Sequence, residues 1–234
     1  MPHTPETKDV QIRLGWFALV TAFMPLLTIH TTYLVSAMQG HVDWCIPYIQ
    51  SCTSISATGR DGAGYFIFKG VMVPIMTLFI VFWFLTHRWL QGLGYRYGKG
   101  VGWLGLFASL FLILYTVALG HRGDEFHLMR RIGVTGYFGM TGIAQILAGS
   151  ALYRSSWPLL QRSGRRLVVL TALTLTTAMV SLVWQSVPTW DYDPVKHSFE
   201  WILIMMLNFW GIGMAILWHK AGLSITLPRA VNLQ

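Results

Sequence analysis

The chain has 234 residues, of which 54% are hydrophobic and only 11% charged, where a soluble domain carries about 25% charged residues. A chain this poor in charge cannot cover a globular body with a water-compatible surface. Its net charge of +8 would suggest nucleic acid on a soluble protein. Here the cations stand at the ends of apolar runs and form no blocks interleaved with aromatics, so they read as topology-setting charge and not as a nucleic-acid footprint.

In chain order, residues 1–13 are polar and read as a short tail. The apolar run at about 14–38 exceeds a signal-peptide core of roughly 7–15 residues and has no small-residue cleavage site, so it reads as a retained helix. Further runs follow at about 65–87, 101–120, 132–153, 167–187 and 199–219. Each approaches the roughly 20 residues that cross a bilayer core. Backbone amides in lipid must be satisfied within the segment, so the spans are helices. The expectation is an all-α polytopic membrane protein: one transmembrane domain over 1–234, a six-helix bundle, and a long first outer loop at 39–64.

The cations set the orientation. Lys8, Arg13, Arg88, Arg96, Lys99, Arg154, Arg162, Arg165, Arg166, Lys220 and Arg229 fall on the side of the N-terminus. Arg60, Lys69, Arg122, Arg130, Arg131 and Lys196 fall on the other. The excess predicts that both termini are cytoplasmic. Every acid except Glu6 and Asp9 then lies on the outer side, with both cysteines. Cys45 and Cys52 bracket a short stretch on a face expected to be oxidising, either as a disulfide or as two free thiols. No second Cys or His pair stands at ligand spacing, so no metal site is expected.

The chemistry-bearing residues gather on that outer side. His197 and Glu200 are three residues apart at the start of the last run and share a helix face. A carboxylate there needs a partner, and Lys69, Arg130, Arg131 or His127 is expected to supply it. His127 opens the fourth run, beneath His121, Asp124 and Glu125. A histidine beside a carboxylate can serve as general base, metal ligand or oriented donor. An interfacial histidine that simply faces water is the commoner case. His30, in the first run, reads as a satisfied core histidine.

The run from Thr53 to Arg60 supplies hydroxyls, Gly59 and a guanidinium, the ingredients of an anion site. It is neither a P-loop nor a nucleophile elbow, because Gly-Lys-Ser/Thr and Gly-x-Ser-x-Gly are both missing. No motif calls for a cofactor. Gly133, Gly136, Gly139 and Gly142 recur every three residues and suit close helix contact, within the bundle or with a partner membrane protein. Pro74 is expected to kink the second span. Trp16, Trp44, Trp89, Trp103, Trp157, Trp190 and Trp218 suit an interfacial belt. No row of intramembrane acids and no visible inverted repeat supports a transporter.

Three stretches together resemble the Frag1/DRAM/Sfk1 family of six-span membrane proteins. Ser54-Ile55-Ser56-Ala57-Thr58-Gly59 is similar to the family's outer-loop motif Pro-x-Ile-Ser-x-x-Gly, with Ser54 where the family usually has Pro or Tyr. Phe126-His127-Leu128, followed by Gly133 and Phe138, is similar to the start of the family's fourth span. Glu200-Trp201 is similar to the Glu-Trp or Gln-Trp that opens its last span. The resemblance implies a lipid-linked role: some members act in fatty-acid or ceramide exchange on lipid anchors, and others modulate autophagy or bind partners without an agreed catalysis. It singles out Ser56, Gly59, His127 and Glu200.

The resulting expectation is a protein that binds or remodels a membrane lipid at the outer face. Ser54, Ser56, Gly59, Arg60, Lys69, Arg130 and Arg131 would receive the head group, and His127, Glu200 and His197 would orient it or move protons. The alternative is a non-catalytic scaffold or accessory subunit of a membrane complex. The compact loops and the lack of an Asn-x-Ser/Thr sequon point to a bacterial inner membrane, with a eukaryotic endomembrane or plasma membrane as the other location.

Overall fold

Six helices are long and apolar enough to cross a membrane in the computed structural model, which describes residues 10–95 and 98–227. They are α1 (Leu14–Met38), α4 (Gly62–Gly92), α5 (Gly98–Ala118), α6 (Asp124–Tyr153), α7 (Pro158–Ser186) and α8 (Lys196–Lys220). The short helices α2 (Pro47–Gln50) and α3 (Ile55–Thr58) punctuate the first long loop. All six spans coincide with the apolar runs, but most extend past them. α6, α7 and α8 begin at Asp124, Pro158 and Lys196, where polar residues continue the helix into the interface. Hydropathy falls off at the membrane surface, whereas the helical hydrogen-bond ladder does not.

The spans close into a ring. Each packs on the next in chain order, and α8 returns to pack on α1. Beneath that seam, β1 (Val10–Arg13) pairs antiparallel with β2 (Ser224–Leu227), with Ile12 opposite Ile225. Residues 10–13 are therefore a strand and not part of a tail; residues 1–9, Arg96, Arg229 and the rest of 228–234 lie outside the described residues. The two described ends share one face, called here the ribbon face. The opposite, loop face carries α2 and α3.

Two apolar clusters fill the ring. The loop-face cluster includes Ile29, Tyr33, Phe68, Tyr115 and Trp201, and the ribbon-face cluster includes Phe82, Leu152, Trp210 and Trp218. Trp218 is fully buried and stacks on Phe82 at 5.0 Å between ring centres, so it leaves the expected interfacial belt for the core. Trp16, Trp44, Trp103, Trp157 and Trp190 are exposed, as a belt requires. Buried hydroxyls turn back on their own helices: Thr86, Ser109, Thr116 and Thr171 each donate to the carbonyl four residues earlier. This satisfies them without an interhelical partner. Pro74 and the unanticipated Pro25 both lie within continuous helices.

The glycines of α6 divide their work. A Cβ on Gly133 would stand 2.7 Å from the Phe111 carbonyl oxygen, and one on Gly136 would stand 2.6 Å from the Phe111 ring. Gly133 lets α5 and α6 touch backbone to backbone, and Gly136 makes room for the Phe111 ring. Gly142 faces Leu175 of α7, and only Gly139 has open space beside it. A three-residue period drifts around a helix of 3.6 residues per turn, so the stripe serves the bundle's own contacts first.

Candidate site on the loop face

The first loop is pinned to the start of α8. Ser51 adopts φ of 51°, and its Oγ accepts hydrogen bonds from the His197 and Ser198 amides at 2.9 and 3.3 Å. Those amides belong to the first turn of α8, where intrahelical acceptors are missing. The Ser198 hydroxyl donates to the Pro47 carbonyl at 3.1 Å. The indole of Trp201, fully buried, donates to the Thr53 carbonyl at 2.9 Å. Cys45 and Cys52 are joined in a disulfide across the same stretch. The Tyr33 hydroxyl donates to the Cys45 carbonyl at 2.7 Å and accepts from the Cys45 amide at 2.8 Å. His30 is satisfied on both nitrogens, by the Leu26 carbonyl at 2.6 Å and the Tyr48 hydroxyl at 2.8 Å. Burial pushes the Tyr48 phenol above its ordinary pKa, so it stays neutral in that pair.

With the loop fixed, its second half presents the hydroxyls. Ser54 caps α3, accepting from the Ala57 amide at 3.0 Å, and its Oγ lies 3.0 Å from that of Ser56. Arg60 donates to the Ser56 hydroxyl at 2.9 Å. Gly59 is tightly held: a Cβ there would meet the Phe68 ring at 2.9 Å and Leu119 at 3.0 Å. The conformation that aims Arg60 therefore depends on a residue without a side chain.

Arg60 opens onto a cavity of about 330 Å³, lined also by Asp61, Gly120, His121, Arg122, Gly123, His127 and Arg130. Three arginines and one aspartate line it, with Glu125 beside Gly123 at its edge, so the cavity is positive. Arg130 donates to the carbonyls of Ala118 and His121 at 3.2 and 2.9 Å, tying α6 to the end of α5. A guanidinium has five N–H donors, so this anchoring leaves others for a ligand. Gly120 and Gly123 have φ of 80° and 119°, a backbone region that favours glycine. They fold the α5–α6 turn around His121 and Arg122.

Tyr115 connects this cavity to α8. It is buried, lies within electrostatic reach of Glu200, Arg60 and Arg130, and faces the Ser56 hydroxyl. Glu200 does not line the cavity. Its ion-pair partner is His197, with Nδ1 3.9 Å from the carboxylate, and not Lys69, Arg130, Arg131 or His127. The helix register brings His197 to Glu200, while the cations expected to neutralise it are engaged elsewhere or turned outward. Among the described residues, no hydrogen bond or ion pair joins His127 to Glu200. Lys69 donates to the Tyr65 hydroxyl and the Val117 carbonyl, each at 2.9 Å, and stands behind the cavity wall. Arg131 is exposed and lines no part of it. Near the start of α8, the Lys196 ammonium 2.7 Å from Asp193 holds that carboxyl below the usual carboxylate range.

The structure thus groups Ser54, Ser56, Arg60, Arg130 and His127 around one end of the bundle, with Glu200 and His197 as a separate pair reached through Tyr115. Sequence reasoning missed Tyr115 and the Gly120–Gly123 turn. The glycines bracketing His121 and Arg122 were the available signal. Among the described residues no cluster of His, Cys, Asp and Glu is arranged to hold a metal ion.

No curated protein and no solved structure matches the chain. Residues 13–216 match the Frag1/DRAM/Sfk1/Cwh43P N-terminal domain, a stretch that contains all six spans to within a few residues of the end of α8. This multi-pass membrane protein therefore belongs to the Frag1/DRAM/Sfk1/Cwh43P N-terminal domain family.

Proposed function

We propose that the chain binds the phosphate-bearing head group of a membrane lipid in the loop-face cavity. The observation that carries this reading is the cavity's charge: Arg60, Arg122 and Arg130 against Asp61 in its lining and Glu125 beside Gly123 at its edge, at the rim of a membrane-spanning bundle. Guanidinium groups pair with phosphate oxygens through two parallel hydrogen bonds, and the Ser54 and Ser56 hydroxyls add neutral donors beside them. His127, exposed on the cavity wall, is the group placed to exchange a proton with a bound head group. The Glu200–His197 pair lies within α8, outside the cavity lining, and has no role in that transfer in this reading.

The test is binding of dihexanoyl phosphatidic acid to the purified protein by calorimetry. Arg60→Ala and Arg130→Ala are each expected to weaken binding about tenfold, the loss of one charge-assisted contact. Unchanged affinity in both variants would sink the reading. His127→Ala separates binding from remodelling. Lipidomics of cells lacking the protein, complemented with this variant, would show a lipid species that wild type restores and His127→Ala does not if His127 performs chemistry. Full restoration would make the protein a binder only.

A scaffold role has one observation in its favour. α7 is the least enclosed span, with Leu173, Leu175, Met179 and Leu182 exposed along it. Recovery of a stoichiometric partner in mild detergent, lost on Leu173→Ser and Met179→Ser, would support it. On location, compact loops favour a bacterial inner membrane, while the family's eukaryotic membership favours an endomembrane or the plasma membrane.

A further inference from the structure

A second cavity lies at the other end of the bundle, on the outside of the ring between α4 and α5. It measures about 480 Å³ and is lined by Ile80, Phe84 and His87 on one wall and by Lys99, Gly102, Trp103 and Leu106 on the other. The helices run antiparallel here, and both walls change character in the same direction. Nearest the ribbon face stand the exposed Lys99 ammonium and the His87 imidazole; next come the exposed rings of Phe84 and Trp103; deepest stand Ile80 and Leu106. From Lys99 to Leu106, and from His87 to Ile80, the rise is about 10 Å at 1.5 Å per residue. A cation, an aromatic zone and an aliphatic floor over that distance follow the profile of a lipid from phosphate to glycerol to acyl chain.

Two further observations mark the groove as more than a seam. Nδ1 of His87 is buried without a hydrogen-bond partner among the described residues. An unpartnered buried polar atom calls for one, and the broad χ2 torsion of histidine lets the ring turn toward a ligand at the groove mouth. Gly102 makes the approach: a Cβ on it would stand 3.0 Å from the Cβ of His87, so only glycine lets the imidazole lie against α5. Lys99 also sits in the first turn of α5, where free backbone N–H groups and the helix dipole favour an anion.

We infer that this groove holds one ordered anionic glycerophospholipid, with its phosphate between Lys99 and His87 and one acyl chain along Ile80 and Leu106. The site lies in the leaflet opposite the loop-face cavity and does not depend on that cavity's ligand. Its occupant enters from the bilayer, because Phe84 and Trp103 open the groove outward and not into the ring.

The experiment uses full-length protein in nanodiscs of phosphatidylcholine containing a phosphatidylglycerol probe with a photoreactive diazirine on its acyl chain. Cross-linked peptides are mapped by mass spectrometry. Labelling is expected to concentrate on the α4 and α5 peptides bearing Phe84 and Leu106. Lys99→Ala should reduce it about fivefold, the share of one interfacial cation, and Leu106→Trp, which fills the aliphatic floor, should reduce it further. Lys99 is exposed, so Lys99→Ala should keep the wild-type melting temperature, which separates loss of the site from loss of the fold. Labelling spread evenly over the outward faces of the spans, or unaltered by Lys99→Ala, would mean annular lipid only and would overturn the assignment.

Discussion

Trp201 is the residue on which the loop face converges. It is fully buried, its indole N–H reaches the Thr53 carbonyl at 2.9 Å, and its ring meets those of His30, Tyr33 and Tyr48 edge-on at 5.5–5.9 Å. Edge-to-face pairs of this kind each contribute about 0.5–1.5 kcal/mol beyond burial. Trp201→Phe keeps most of the packing but leaves the Thr53 carbonyl unpaired. We expect a loss of roughly 1–3 kcal/mol, seen as a lower melting temperature in detergent and earlier proteolysis of the 39–61 loop. The disulfide acts on the same stretch, with Cys52 next to Thr53. Cys45→Ser with Cys52→Ser frees a short loop and is expected to cost about 2–3 kcal/mol, and dithiothreitol should lower the melting temperature of wild type but not of the double variant. At this scale the sequence was partly legible. Ser54, Ser56 and Arg60 could be grouped by type and spacing, and the structure does link their side chains by hydrogen bonds. The shared helix face of His197 and Glu200 was legible, but the cations expected to neutralise Glu200 were the wrong choice, because the fold engages Lys69 and Arg130 elsewhere.

At the scale of elements, the apolar centres of the spans could be read directly, because a bilayer imposes one length on all of them. Their ends could not. Asp124 to Arg131 precede the apolar run at 132–153 but form the first two turns of α6, where Asp124 and Glu125 suit the positive end of the helix dipole. The ribbon strands, four residues each, are too short for an alternation to stand out. The contact of α5 with α6 gives a sharp test. With a Cβ on Gly133 held 2.7 Å from the Phe111 carbonyl, neither backbone can yield locally. Gly133→Leu should therefore separate the helices, cost at least about 1–3 kcal/mol and, by shifting Arg130 and His127 away from α5, abolish head-group binding. Gly139→Leu, beside open space, should leave both stability and binding at wild-type levels.

At the scale of the whole molecule, the ring stacks its two apolar clusters against each other and places the loop-face cavity and the α4–α5 groove toward opposite ends. The loop-face cavity lies between the α3–α4 link, the α5–α6 turn and the start of α6, whereas the element that fixes the first loop is α8. Loop and cavity meet through Tyr115 and the Ser56–Arg60 bond. Ser51→Gly should therefore weaken head-group binding by a few fold without touching the cavity, by releasing the α8 amides that hold the loop, a change measurable in the same calorimetric titration. Ring order itself was not visible in the sequence. Six apolar runs of similar length admit many neighbours, and only the packing of α8 on α1 and the ribbon beneath them select a closed circle.

That closure also sets an order of events at the ribosome. The partner of the first span is the last one, so α1 enters the membrane long before the surface that covers it exists. At 5–20 residues per second, the wait is roughly 10–40 s, during which the seam of α1, the loop bearing Cys45 and Cys52, and the half-built pocket for Trp201 stand open to lipid, to oxidants and to whatever assists insertion. Until α8 is made the bundle is an open arc, and the packing of α8 on α1 turns it into a ring. A nascent chain arrested before Lys196 should accordingly keep its first loop accessible to protease and to thiol reagents, and release of α8 should protect both at once.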